Sequence, residues 1–180
     1  MVPDTTRLLR GALAGGTAAA IWIVQQPLDK MVFGVDYDDA ELLGSAVTRE
    51  RGTLVTFALG SVLHAANGAL FGAGYAAISP SVGGRGAARG VAAGLAEHLA
   101  TWPLTRFVPT VHPVGASFPP MWGSPRAFAQ ATWRHVLFGA LLGTIEERLN
   151  PPPGEAAPAE EDHSTSNGHG NVEHLVVARA

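Results

Sequence analysis

Residues 53–78 read TLVTFALGSVLHAANGALFGAGYAAI, with no formally charged side chain when histidine is counted neutral. A helix of this length exceeds the roughly 20 apolar residues needed to cross the hydrocarbon of a bilayer. The stretch predicts a transmembrane helix, and the composition around it agrees. Of 180 residues, 47% are hydrophobic and only 15% are Asp, Glu, Lys or Arg, against roughly 25% charged residues in an average soluble domain. A soluble all-α bundle is the competing fold.

Three further apolar segments flank this one. Residues 8–28 are uncharged beyond Arg10 and carry Trp22 near their far end, where an interfacial aromatic would sit. They run past the length of a signal-peptide core and end in Gln25-Gln26-Pro27 rather than a small-residue cleavage site, so they read as a retained first helix. Residues 87–104 carry Glu97 and His98, and residues 126–147 carry Arg134 and His135. Helices of that kind insert when their polar groups face protein rather than lipid. Pro27 and Pro103 are expected to stop or kink the first and third helices, and Ser124-Pro125 reads as a cap followed by a first-turn proline. Trp102, Trp122 and Trp133 fall near the expected membrane boundaries.

The chain also echoes itself. HAANGALFG (residues 64–72) and HVLFGALLG (residues 135–143) share His, Gly, Ala, Leu and the final Gly in one register, and Phe57-Ala58 then falls on Phe128-Ala129. Arg10-Gly11 with Ala14-Gly15 similarly matches Arg89-Gly90 with Ala93-Gly94. The expectation is a duplicated two-helix unit, its halves parallel and related by a pseudo-twofold axis along the membrane normal. Small-xxx-small pairs recur on all four segments, at Gly11/Gly15, Gly68/Gly72, Gly90/Gly94 and Gly139/Gly143. Such pairs let helix backbones approach closely where lipid supplies little drive to associate.

The fold class expected is therefore all-α: a polytopic membrane protein with a four-helix transmembrane domain over residues 1–149 and a disordered tail over residues 150–180. The tail is rich in Pro, Glu, Gly and Ser, too polar to offset its ordering entropy. Its His163, His169 and His174 read as solvated linker residues without ligand spacing. Arg7, Arg10, Arg85, Arg89 and Arg148 fall on one side, and Lys30, Arg49, Arg51, Arg106 and Arg126 on the other. The short acid-free loop with Arg85 and Arg89 favours cytoplasmic termini, in a plasma or inner membrane.

The polar groups inside the apolar segments are the candidate site. Glu97 and Arg134 should lie about 9 Å and 13 Å from a common boundary, so an ion pair between them, flanked by His98 and His135, is expected, since an unpaired charge there is costly. It could also serve as a proton or ion relay. His64 and His135 lie near mid-depth and, with Asn67, are candidates for a ligand or a metal, including a bis-His haem. Hydrogen bonding across the bundle is the simpler role. Gln25 and Gln26 complete the set.

Several chemistries are excluded or unsupported. A net charge of −3 and scattered basic residues leave no stripe for nucleic acid, and a chain without cysteine has no thiolate site. No phosphate-binding loop, nucleophile elbow or H-E-x-x-H is present. Residues 33–39, FGVDYDD, lack the Gly and distal Glu of an EF-hand and read as a solvated acidic loop. Three functional classes follow: a structural or accessory membrane subunit packing through Gly-rich faces; a small transporter or channel using the Glu/Arg/His cluster; and a haem- or metal-binding membrane protein. No cofactor is predicted in the first two. The expected partners are the lipid bilayer and a second copy of the chain or another membrane protein.

Overall fold

A computed structural model describes residues 4–151; the expected tail beyond Pro151, with its three histidines, lies outside the described residues. No strand occurs among the described residues. The elements are α1 (Thr5–Phe33), α2 (Asp39–Thr48), α3 (Leu54–Ile78), α4 (Gly86–Thr101), the single turn α5 (Val108–Val111) and α6 (Pro125–Leu149), with 3-10 turns at Ser79–Ser81, Trp102–Phe107 and Gly115–Ser117. Two helical stretches, Thr5–Phe33 and Leu54–Ser81, are long and apolar enough to cross a membrane.

Local signals set the helix ends. Asp4 accepts from the Thr6 N–H, Thr53 from that of Thr56 and Ser124 from that of Ala127, each satisfying a donor the first turn leaves free. Pro27 does not end α1, contrary to expectation: the helix runs on to Phe33. Proline removes one intrahelical bond, but the turn beyond it is held by Gln26, which accepts from the Asp39 N–H at 2.7 Å, and by Asp29, which binds Arg134. α1 finally stops at Gly34, whose φ of 66° closes a left-handed cap on the Lys30 carbonyl.

α2 was not expected. The stretch read as a solvated acidic loop instead buries Val35 and Tyr37 and launches this helix. Asp38 caps it, accepting from the Glu41 N–H at 3.0 Å, and the Asp-x-x-Glu spacing is itself a capping signature.

Glycine contacts govern how the helices meet. A Cβ on Gly15 would run into the Gly68 carbonyl and the Gly72 Cα, and one on Gly90 into the Gly139 carbonyl and the Gly143 Cα. α1 with α3, and α4 with α6, thus form two antiparallel pairs with backbones in direct contact. Gly15 and Gly90 hold corresponding places, one helical turn from the sequence superposition of Gly11/Gly15 on Gly90/Gly94; His64 and His135 remain in register. A third seam, unforeseen, packs Gly44 of α2 on the Thr56 carbonyl and Gly60 of α3 on that of Ala40. α1 also lies along α6, whereas no comparable contact joins α3 to α4.

Beside two apolar clusters the interior holds many polar groups, and many large apolar side chains lie on the exterior. Of the ten largest fully buried side chains only Leu142 is apolar; Arg134, His98, Gln26, Gln130, Glu146 and Asp29 are among the others. Meanwhile Leu9, Val24, Met31, Leu54 and Leu70 are each more than 60% exposed.

At the end where α1 and α4 begin and α3 and α6 finish, the fully buried Glu146 ties the helices together. Its carboxylate accepts from Arg7 at 2.9 Å, Arg89 at 3.4 Å, Ser79 at 3.3 Å and Asn150 at 3.2 Å. Arg7 also donates to the Ala76 carbonyl, and Arg89 to the Tyr75 hydroxyl. Glu146→Gln, which leaves two arginines facing a neutral amide, is expected to cost about 3 kcal/mol. Glu147→Gln, whose pair with Arg85 is partly solvated, should cost about 0.5 kcal/mol or less. Thermal melts of the two variants in detergent check this: equal shifts would remove the special role of Glu146.

Candidate functional site

At the opposite end, successive turns of two helices present polar groups to each other. On α1, Trp22, Gln25, Gln26 and Asp29 share one face; on α6, Gln130 and Arg134, four apart, face them. Arg134 is fully buried and donates to Asp29 through Nε at 2.7 Å and Nη2 at 2.6 Å, to Asp39 at 2.7 Å and to the Tyr37 carbonyl at 2.9 Å. Asp29 also accepts from Gln130 at 2.7 Å and Gln25 at 2.6 Å. Asp39 also accepts from the Trp22 indole at 3.0 Å and from the Tyr37 hydroxyl. Two carboxylates share one guanidinium, so this network carries one formal negative charge.

The expected Glu97–Arg134 ion pair is therefore not formed. Arg134 turns to α1 and α2, and Glu97 pairs with His135 instead, at 2.7 Å. The reason is rotational position: Glu97 and Arg134 are near in depth, but Asp29 and Asp39 lie on the side of α6 that Arg134 faces. Trp22 is likewise no interfacial residue. It is 6% exposed, and its ring stands edge-on to both His64 and His135, with centroids at 4.9 Å and 4.8 Å. Both histidines thus pack against the same indole. Among the described residues no three His, Asp or Glu side chains are grouped to hold a metal ion.

Trp22, His64 and His135 belong to the wall of a cavity of about 430 Å³ where α3 and α4 stand apart. Glu97, His98 and Asn67, all singled out from sequence, also line it, as do Phe71, Trp102 and Phe138. His64 is 8% exposed and its Nε2 has no hydrogen-bond partner. The glycines of the four small-xxx-small pairs are in the helix seams, and only Gly68 reaches this wall.

Hydrogen bonding assigns the protons along the wall. His135 Nδ1 lies 2.7 Å from the Ala131 carbonyl, which can only accept, so Nδ1 bears a hydrogen. Its Nε2 faces Glu97 Oε2 at 2.7 Å, a contact that requires one proton between them, on either partner. Thr132 gives its hydroxyl hydrogen to the Phe128 carbonyl at 2.8 Å and so accepts from His98 Nε2 at 3.0 Å. The His98 and His135 rings lie 4.6 Å apart. Asp39, Tyr37 and the Arg134 network were not legible as site residues; the polar stripe at Gln25, Gln26 and Asp29 was the available signal, lost when Pro27 was taken as a helix end.

Fold and site together define a protein that is all-helical over the described residues, with two helices suited to a membrane and a mostly apolar cavity between helix pairs that also presents histidines and two carboxylates. No family model matches the chain, and neither a curated protein nor a solved structure matches it.

Proposed function

We propose that this chain is a small transporter: an integral membrane protein in which α1, α3, α4 and α6 span the bilayer as a duplicated helix pair and the central cavity receives the substrate. The observation that carries this reading is the reversal of polarity, with charged and amide groups inside and large apolar side chains outside. Water would penalise that arrangement, and hydrocarbon favours it. Of the most apolar windows in α1 and α3 only 33% and 22% of the residues are buried, whereas a soluble core helix would hide most of such a stretch. α4 is short at about 24 Å, and the 3-10 turn Trp102–Phe107 extends it.

The cavity favours transport over a purely structural role. The α1–α6 contact is closed, while its counterpart under the proposed twofold, α4 against α3, is open and lined with ionisable groups. The accessory-subunit reading rests on Gly-rich helix packing without a defined catalytic site, and the glycine faces do pack, against the chain's own helices. It stands second.

The cysteine-free sequence suits a labelling test. In sealed vesicles, Gly83→Cys and Arg148→Cys are expected to react with a membrane-impermeant maleimide from one side, and Glu50→Cys and Arg106→Cys from the other. Any other grouping overturns the four spans. Asn67→Cys, on the cavity wall, should be reached from either side as access alternates; reaction from one side alone or from neither removes the transport reading.

A further inference from the structure

The chemistry of the cavity wall, taken with the transporter reading above, narrows the substrate. Trp22, Phe71, Trp102 and Phe138 supply aromatic surface, and neither lysine nor arginine lines the cavity. Two carboxylates reach it, Asp39 and Glu97. Asp39 already accepts from Arg134, the Trp22 indole and the Tyr37 hydroxyl. Glu97, a third exposed, has His135 as its partner and no fixed cation. Aromatic faces attract positive charge, most strongly when water is excluded, and a carboxylate in apolar surroundings gains most from an ion that brings its own apolar body.

We propose that the cavity binds a lipophilic organic cation, an amine or onium ion with an aromatic or aliphatic body, with Glu97 as its counter-ion, and that binding expels the proton shared by Glu97 and His135. Before binding, the couple holds one proton and is neutral overall. Afterwards Glu97 is a carboxylate paired with the cation, His135 is neutral with its hydrogen on Nδ1, and the proton has passed from His135 Nε2 to water; charge balances. The other groups facing the couple do not supply this proton. His98 on α4 commits its Nε2 hydrogen to Thr132, Asp39 on α2 is ionised against Arg134 of α6, and Tyr37 donates to Asp39. His64 on α3 also lines the cavity, edge-on to the Trp22 ring, and its buried Nε2 has no hydrogen-bond partner. Because cation and proton exclude each other, each weakens the other's binding by the same factor.

The test uses the full chain in detergent with tetraphenylphosphonium, read by tryptophan fluorescence, and a pH indicator in weakly buffered solution. Saturable binding is expected, with release of about one proton per cation and affinity that falls as pH is lowered. Tetraphenylborate, of nearly the same shape but opposite charge, should not compete. Glu97→Gln should weaken binding about tenfold or more and abolish proton release; Trp102→Leu, which keeps the carboxylate, should weaken binding while leaving the proton count unchanged. Equal binding of both ions, or unchanged affinity in both variants, would reduce the site to apolar partitioning and overturn the assignment. A variant that does not fold leaves the other variant and the ion comparison decisive. Selective cation binding with Asn67→Cys reached from one side only would keep this site and sink transport. Two-sided labelling without cation selectivity would do the reverse.

Discussion

Replacing Arg134 by methionine is expected to destabilise the protein by about 3–5 kcal/mol, the cost of stranding buried carboxylates after their cation is removed. Asp29 and Asp39 both lose a contact of 2.7 Å or shorter, and a methionine of similar length offers neither charge nor donor in return. The damage should reach the cavity, because Asp39 also accepts from the Trp22 indole that packs against both His64 and His135. Stability in detergent should fall and tryptophan emission should change. Adding Asp29→Asn and Asp39→Asn to Arg134→Met should recover much of the loss, because the penalty lies in unpaired charge rather than missing volume. If the triple variant is as unstable as the single one, the network acts by packing and the electrostatic account fails.

Gly68→Val is expected to be the other severe change, at about 3 kcal/mol or more of overpacking. The new Cβ would meet the Ala19 Cβ and the Gly15 carbonyl, and the latter is backbone that no rotamer change can move. α1 and α3 must separate, which draws Trp22 away from His64. The same substitution at Gly74, on the same helix but with open space around it, should stay within about 0.5 kcal/mol. Size-exclusion profiles and melting temperatures of the two variants read the contrast. Comparable losses would mean that valine is tolerated poorly in this helix generally, and that the seam has no special weight.

The long helices were legible where an apolar run and a cap coincided. Apolar runs and caps placed α3 at Leu54–Ile78 against an expected 53–78, and α6 at Pro125–Leu149 against 126–147. The boundary that failed did so for a physical reason. Pro27 breaks a local bond and reads as a terminus, but tertiary contacts from Asp29 and Gln26 outweigh it. Reading residues 33–39 as a solvated acidic loop hid α2, a ten-residue helix that packs on α3 through Gly44 and Gly60.

What the chain order dictates is the set of apolar lengths, the caps and the recurrence of small residues every four positions, because these act between neighbours in sequence and need no partner. Which helix rotates toward which is a different matter. Arg134 could have met Glu97 by depth alone, and it meets Asp29 and Asp39 because α1 lies alongside α6 and the α4–α6 glycine seam sets α6's orientation about its axis. The Gly11/Gly15 repeat likewise suggested one register, while backbone contact places Gly15 beside Gly68 as Gly90 stands beside Gly139. Pair choice among buried charges depends on rotation and close approach, quantities that exist only once the helices are packed, and those leave Glu97 to His135 at the wall of the cavity.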